Sequence, residues 1–259
     1  MLLSQWLLLY IPSWLLFLLS VTISVSFSVL GLILMRKFVP HKKLKIHNDV
    51  AGPIFSTFGV IYAVLLAFTV VITWENFDRS KQNVDKEANC LSDLYIDSEI
   101  FPEEFGSQAR KLFSEYAEVV VNQEWKLLTR GESSPQVDKV LKKIWALYSR
   151  YSIRNLTEDS FFKESVRKMN ELSELRRNRI MDSRSGIQPI LWFVLLIGGV
   201  ITIVFTYLFG TENYGAQVVM VVLLALLIAF ILFTILSFDF PFTGDVSVTP
   251  EPFLKMINL

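Results

Sequence analysis

Side chains able to do acid–base or metal chemistry are few and scattered in this sequence. His41 and His47 are its two histidines and Cys90 its one cysteine. Both histidines lie in a basic stretch with Arg36, Lys37, Lys42, Lys43 and Lys45, where only Asp49 adds a further ligand type. No tetrahedral set for a metal is complete there. A phosphate-binding loop, a dinucleotide-type glycine pattern after a strand, HExxH, CxxC and GxSxG are all absent. No carboxylate pair has a context that marks it for proton transfer. The expectation is a protein that is not an enzyme, with no catalytic residues, no metal and no cofactor.

A different kind of site is legible between Asn48 and Tyr95. Ala51 to Thr73 carries no charge and is long enough to cross a bilayer core as a helix. From Trp74 to Ile96 the chain becomes charged but keeps Val84, Leu91, Leu94 and Tyr95 at helical spacing. With no Gly or Pro between Gly59 and Pro102, one long helix is the simplest reading. Phe55, Phe58, Tyr62, Thr69 and Thr73 share a stripe on it, rings followed by hydroxyls, as in a hydrophobic constriction opening to a polar mouth. These are the pore-lining candidates; the alternative is that the rings face lipid or fill the bundle. Beside them Gly52, Ser56, Gly59, Ala63 and Ala67 form a narrow face suited to close helix packing.

The elements around this helix follow from charge. Met1–Met35, Val50–Thr73, Gln188–Gly210 and Asn213–Phe238 contain no Asp, Glu, Lys or Arg. Each holds an apolar run of about 18 residues or more, the mark of a spanning helix. The fold expected is an all-α membrane protein with four transmembrane helices and a helical extramembrane domain between the second and third. Its parts are a first membrane segment (1–35), a basic loop (36–50), a second membrane helix (51–74), a helical soluble domain (75–187), membrane helices at 188–210 and 216–238, and a proline-containing tail (239–259).

Within 1–35, Pro12 separates an interfacial lead with Trp6, Tyr10 and Trp14 from the helix proper. There Ser20, Ser24, Ser28 and Gly31 make a small-residue stripe, read as a packing face or as a hydroxyl-lined path. The soluble domain reads as helices at 75–99, 103–129, 136–153 and 158–184, broken at Pro102, Gly131–Pro135 and Asn155. The run Arg176, Arg177 and Arg179, with Arg184, precedes the third span and reads as a lipid-headgroup anchor, the alternative being an anion funnel. The tail should dock on the soluble domain. Basic and acidic residues balance at 25 each, so no global field argues for nucleic acid.

Asn48-Asp-Val-Ala-Gly-Pro53, Gly59 to Phe68, Trp74-Glu-Asn-Phe77, Glu87-Ala-Asn89 and Leu94-Tyr95 resemble one block of the bestrophin-like family of membrane proteins. Asp239, Pro241-Phe242, Gly244-Asp245 and Pro250-Glu-Pro-Phe253 resemble its closing block. The resemblance covers nearly all of the chain after about residue 35. It marks Asn48, Asp49, Trp74, Glu87, Asp239, Pro241, Gly244 and Asp245 as family positions.

More distantly, it implies the layout of bestrophins, mostly anion-selective pentameric channels whose second membrane helix lines the pore. Phe55, Phe58 and Tyr62 would then be neck residues, the partners a lipid bilayer, copies of the chain and an inorganic anion. The location would be a cell membrane, crossed several times. The doubled tryptophan and acidic calcium clasp of animal bestrophins are absent. Arg36 to Lys45 favours a loop on the cytoplasmic side. Arg79, Lys81, Lys86, Lys168, Arg176, Arg177, Arg179 and Arg184 favour instead a cytoplasmic helical domain, which is the expectation. The alternative function is a non-conducting membrane-anchored scaffold or sensor whose helical domain binds a protein partner.

Overall fold

The computed structural model describes residues 3–40 and 44–257; His41, Lys42 and Lys43 of the basic loop lie outside them. Among the described residues there is no strand, and four helices are long and apolar enough to cross a membrane. The chain divides into two compact units, Met1–Glu75 with Gly186–Asp239 and Asn76–Ser185 with Phe240–Leu259. The protein is a multi-pass, all-α membrane protein.

The first unit contains α1 (Leu3–Tyr10), α2 (Ser13–Phe38), the first part of α3 (Asn48–Asp97), α8 (Pro189–Thr206) and α9 (Tyr214–Phe238). In lipid these helices gain little from burying apolar surface, so close contact and hydrogen bonds must hold them. The small residues of α2 supply both. Ser24 donates to the Ala225 carbonyl at 3.1 Å, Ser28 is buried, and Gly31 lies under the Tyr207 ring. A Cβ at Gly31 would sit 2.6 Å from that tyrosine's hydroxyl. Phe17 stacks on Phe230 and meets Phe233 edge-on.

One end of this unit is closed by polar side chains. Arg36 donates through Nε (2.9 Å) and Nη2 to Gln217, and through Nη2 to the Thr211 carbonyl at 2.6 Å. Asn48 and Gly210 exchange two hydrogen bonds, at 2.9 and 3.0 Å. Arg36, the first residue of the basic loop, is thus occupied by partners within the protein.

The second unit holds the rest of α3, then α4 (Glu103–Val119), a π-helical segment (Val120–Glu124), α5 (Trp125–Leu128), α6 (Pro135–Ser149), α7 (Leu156–Arg184) and α10 (Glu251–Ile257). Glu103 and Glu104 open α4, where the helix dipole favours negative charge. Ser134 caps α6 by accepting from the Gln136 N–H, with Pro135 at the first position. Asn155 and Glu158 cap each other reciprocally at the start of α7. The core is one cluster that includes Val84, Leu91 and Leu94 of α3, Phe113 and Tyr116 of α4, Ile144 of α6, Met169 of α7 and Phe253 of α10.

The helix expected over 103–129 is interrupted. Tyr116, Val120, Glu124 and Leu128 recur every four residues, and each such step drifts about 40° around a helix of 3.6 residues per turn. By Leu128 the drift would be about 120°, taking Glu124 and Leu128 off the core face. The π-helical turn inserts about one extra residue, rotates the remainder of the helix back by about 100°, and buries both.

Candidate functional site

The stripe of pore-lining candidates on α3 turns into its own unit. Tyr62 is buried and donates its hydroxyl to the Leu195 carbonyl at 2.8 Å. Its ring lies on α8, where a Cβ at Gly198 would come within 2.6 Å of it. Phe55 stacks on Phe205 and meets Phe209 edge-on, and Phe58 lies parallel to Phe205. Thr69 donates to the Leu65 carbonyl, and Thr73 to those of Thr69 and Val70; both threonines are buried. Within one chain, the Tyr62, Phe55 and Phe58 rings lie against α8 or the turn after it, while Thr69 and Thr73 bond to carbonyls of their own helix.

The face assigned to helix packing is the uncovered one. A Cβ at Gly52 or Gly59 would meet nothing within 4 Å, and Ser56, Ala63 and Ala67 are exposed. Val60, Val71 and Trp74 are exposed on the same side, so this surface contains no charge from Gly52 to Trp74. Within one chain, then, the aromatic stripe meets α8 and the small-residue stripe meets no neighbour among the described residues. Adjacent stripes on a helix differ by only one residue step of about 100°, and nothing local says which one a neighbour covers.

The second unit contains a buried ionic node that the sequence reading missed. Arg179 and Glu87 have no exposed side-chain surface. Arg179 donates through Nε (2.7 Å) and Nη2 (2.9 Å) to the two carboxylate oxygens of Glu87. Its Nη2 also donates to Glu124 at 2.9 Å. Arg176, one turn earlier, adds bonds to Glu124 at 3.1 and 2.7 Å and to Asp138 at 2.5 Å. Tyr116 donates to Glu87 at 2.7 Å, and the backbone N–H of Ser134 to Glu124 at 2.9 Å. The guanidinium of Arg179 lies 5.4 Å from the Trp125 ring centroid and 5.7 Å from that of Phe253. Its Nη1 is buried without a hydrogen-bond partner.

Arg176 and Arg179 therefore do not anchor lipid. Their i, i+3 spacing puts both on the inner face of α7, where two carboxylates await them. The missed signal was the pairing of that spacing with an acid, Glu124, in the four-residue repeat of an otherwise apolar face.

Burial opposes charge on Glu124, but hydrogen bonds from Arg176 and the charges of Arg179 and Arg176 outweigh it and hold its carboxyl below the usual range. A depressed carboxylate contributes stability that is present above its unfolded value, near 4.5, and lost as pH falls through its folded value. The thermal stability of the helical unit should therefore fall below about pH 4.5, and less steeply in Glu124→Gln. Equal acid sensitivity of the two proteins would remove Glu124 as the cause.

Among the remaining family positions, Asp239, Pro241 and Gly244 have visible structural roles. Asp239, at the end of α9, accepts from the Ile187 N–H at 2.5 Å and the Trp192 indole at 3.2 Å. Burial pushes its carboxyl up, against the donors of Ile187, Ser4 and Trp192. In the tail, the Pro241 carbonyl accepts from the Val248 N–H, and Gly244 adopts φ +90°, which favours glycine. Asp49 lies in the first turn of α3 and is exposed, as are Trp74 and Asp245. No group of three or more candidate metal ligands occurs among the described residues.

Solved structures share this fold. A mutant of a bacterial bestrophin homologue from Klebsiella pneumoniae is similar at TM-score 0.67 and 14% identity, over 93% of this chain and 99% of that one. A structure of the homologue phased by zinc anomalous scattering is similar at TM-score 0.65 and 12% identity, over 93% and 98%. No curated protein matches. The family model described as Bestrophin-like domain matches residues 22–253, from within α2 to the buried Phe253, and the chain belongs to that family.

Proposed function

We propose that the chain is an oligomeric, anion-preferring ion channel of the bestrophin type in a cell membrane, with α3 as its pore wall. The observation that carries this reading is the uncharged, uncovered face of small residues on α3: Gly52, Ser56, Val60, Ala63, Ala67 and Val71. Gly198 and Gly31 have a visible reason to be small, under the rings of Tyr62 and Tyr207. On this face no neighbour among the described residues explains the small side chains. Lipid does not require small side chains, whereas a pore shared by several copies does, because the helices must converge without filling the axis. The membrane spans contain no carboxylate, which suits passage of an anion. No step of this function needs catalysis.

The scaffold reading has one observation in its favour. A groove of about 670 Å³ between α4, α6 and the 150–154 turn is lined by Phe105, Leu112, Leu147 and Tyr151, with Arg150 and Arg154 at its edge.

The test is ion flux through purified protein in planar bilayers under salt gradients with anion substitution. Wild type should give discrete conductance with an anion-selective reversal shift. Ala63→Trp, on the uncovered face, should lower conductance about tenfold or more. Phe58→Ala, on the covered face, should change stability more than selectivity. Silence from folded, inserted protein would sink the channel. Conductance indifferent to Ala63→Trp but changed by Phe58→Ala would return the wall to the aromatic stripe.

A further inference from the structure

The π-helical segment is the irregular element on which the ionic node depends. It alone brings Glu124 to the face of Tyr116, and π-turns inside α-helices are uncommon and concentrate at functional sites. The end of this segment and the helical turn after it are written in near-duplicate. Gln123 precedes Glu124, and Leu127 precedes Leu128.

If the extra residue moved C-terminally into the turn at Thr129–Gly131, the segment would rotate by about 100°. Gln123 would then occupy the place of Glu124, and Leu127 that of Leu128. A leucine fills the core in both registers, while the node exchanges a carboxylate for a neutral amide. Gly131, already at φ +72°, ends the helix where the displaced residue would be absorbed. The rotation would break the Trp125 indole bond to the Val248 carbonyl (3.3 Å). It would also break the Thr243 hydroxyl bond to the Thr129 carbonyl (2.9 Å), so the register is tied to the tail.

We infer that residues 120–128 form a two-register switch: a π register with Glu124 between Arg176 and Arg179, and an α register that presents Gln123 there and loosens the C-terminal tail. A buried ion pair is poor as pure stabilisation but well suited to selecting one register over another. Such a switch is independent of whether the chain conducts.

The test is a charge swap in the full-length protein in detergent. Glu124→Gln should lower the unfolding temperature by roughly 5–10 °C, since neither register then supplies a carboxylate. Gln123→Glu combined with Glu124→Gln lets the α register supply it, and should recover at least about half of that loss. If the single variant does not fold, folding of the double variant is the same recovery. Hydrogen exchange gives a second reading. In wild type the amides of 121–128 should exchange about tenfold or more faster than those of 105–117. A double variant no more stable than the single one overturns the switch, as does equal protection of the two segments.

Discussion

Replacing Arg179 by methionine should destabilise the helical unit by about 3–5 kcal/mol, because it leaves Glu87 and part of Glu124 buried without their cation. Methionine keeps much of the volume and can lie between Trp125 and Phe253, so the loss would report charge and hydrogen bonding rather than a cavity. Arg179→Lys should fail almost as badly. A single ammonium cannot donate in parallel to both oxygens of Glu87 and also reach Glu124. The decisive comparison is Arg179→Met combined with Glu87→Gln, which removes the stranded charge at Glu87. Coupling of about 1 kcal/mol or more between the two positions in thermal or denaturant unfolding is expected. A single variant within about 1 kcal/mol of wild type would mean that water already reaches the node.

Phe253→Ala is expected to cost about 3–5 kcal/mol and to release the tail. Phe253 is fully buried, edge-on to Trp125 and against the Arg179 guanidinium. Its helix, α10, is only seven residues long and has no stability of its own in water. What holds it is its two buried side chains, Phe253 and Met256, together with the Trp125–Val248 and Thr129–Thr243 hydrogen bonds before it. Limited proteolysis should show cleavage around 245–250 in Phe253→Ala under conditions where wild type is intact. Leu254→Ala, at a position 44% exposed, should change stability by no more than about 0.5 kcal/mol. Equal resistance of Phe253→Ala and wild type would mean that the tail is held from elsewhere.

The path of α3 is legible in the amino-acid sequence, and so are the spans. Each depends on properties local to a run of residues, namely freedom from charge, length, and the absence of Gly and Pro, that one helix reports about itself. The π-turn is half legible. The spacing Tyr116, Val120, Glu124, Leu128 is wrong for an unbroken α-helix, but it shows the need for a correction only once these residues are known to share one core face.

By itself, the sequence determined that this is a four-span, all-helical membrane protein with a long second helix and a helical domain without recognisable catalytic groups. Only the tertiary structure decided which side of that helix is free and where the arginines point. Tyr62 faces inward because Gly198 and Gly199 on α8 leave room for its ring and Leu195 offers a carbonyl. Arg179 is buried because Glu87, 92 residues earlier, and Glu124, 55 residues earlier, meet it. Helical periodicity records that a face exists, but what covers it comes from distant parts of the chain. Isolated in its own segment, a run such as Arg176–Arg179 looks the same whether lipid headgroups or buried carboxylates receive it.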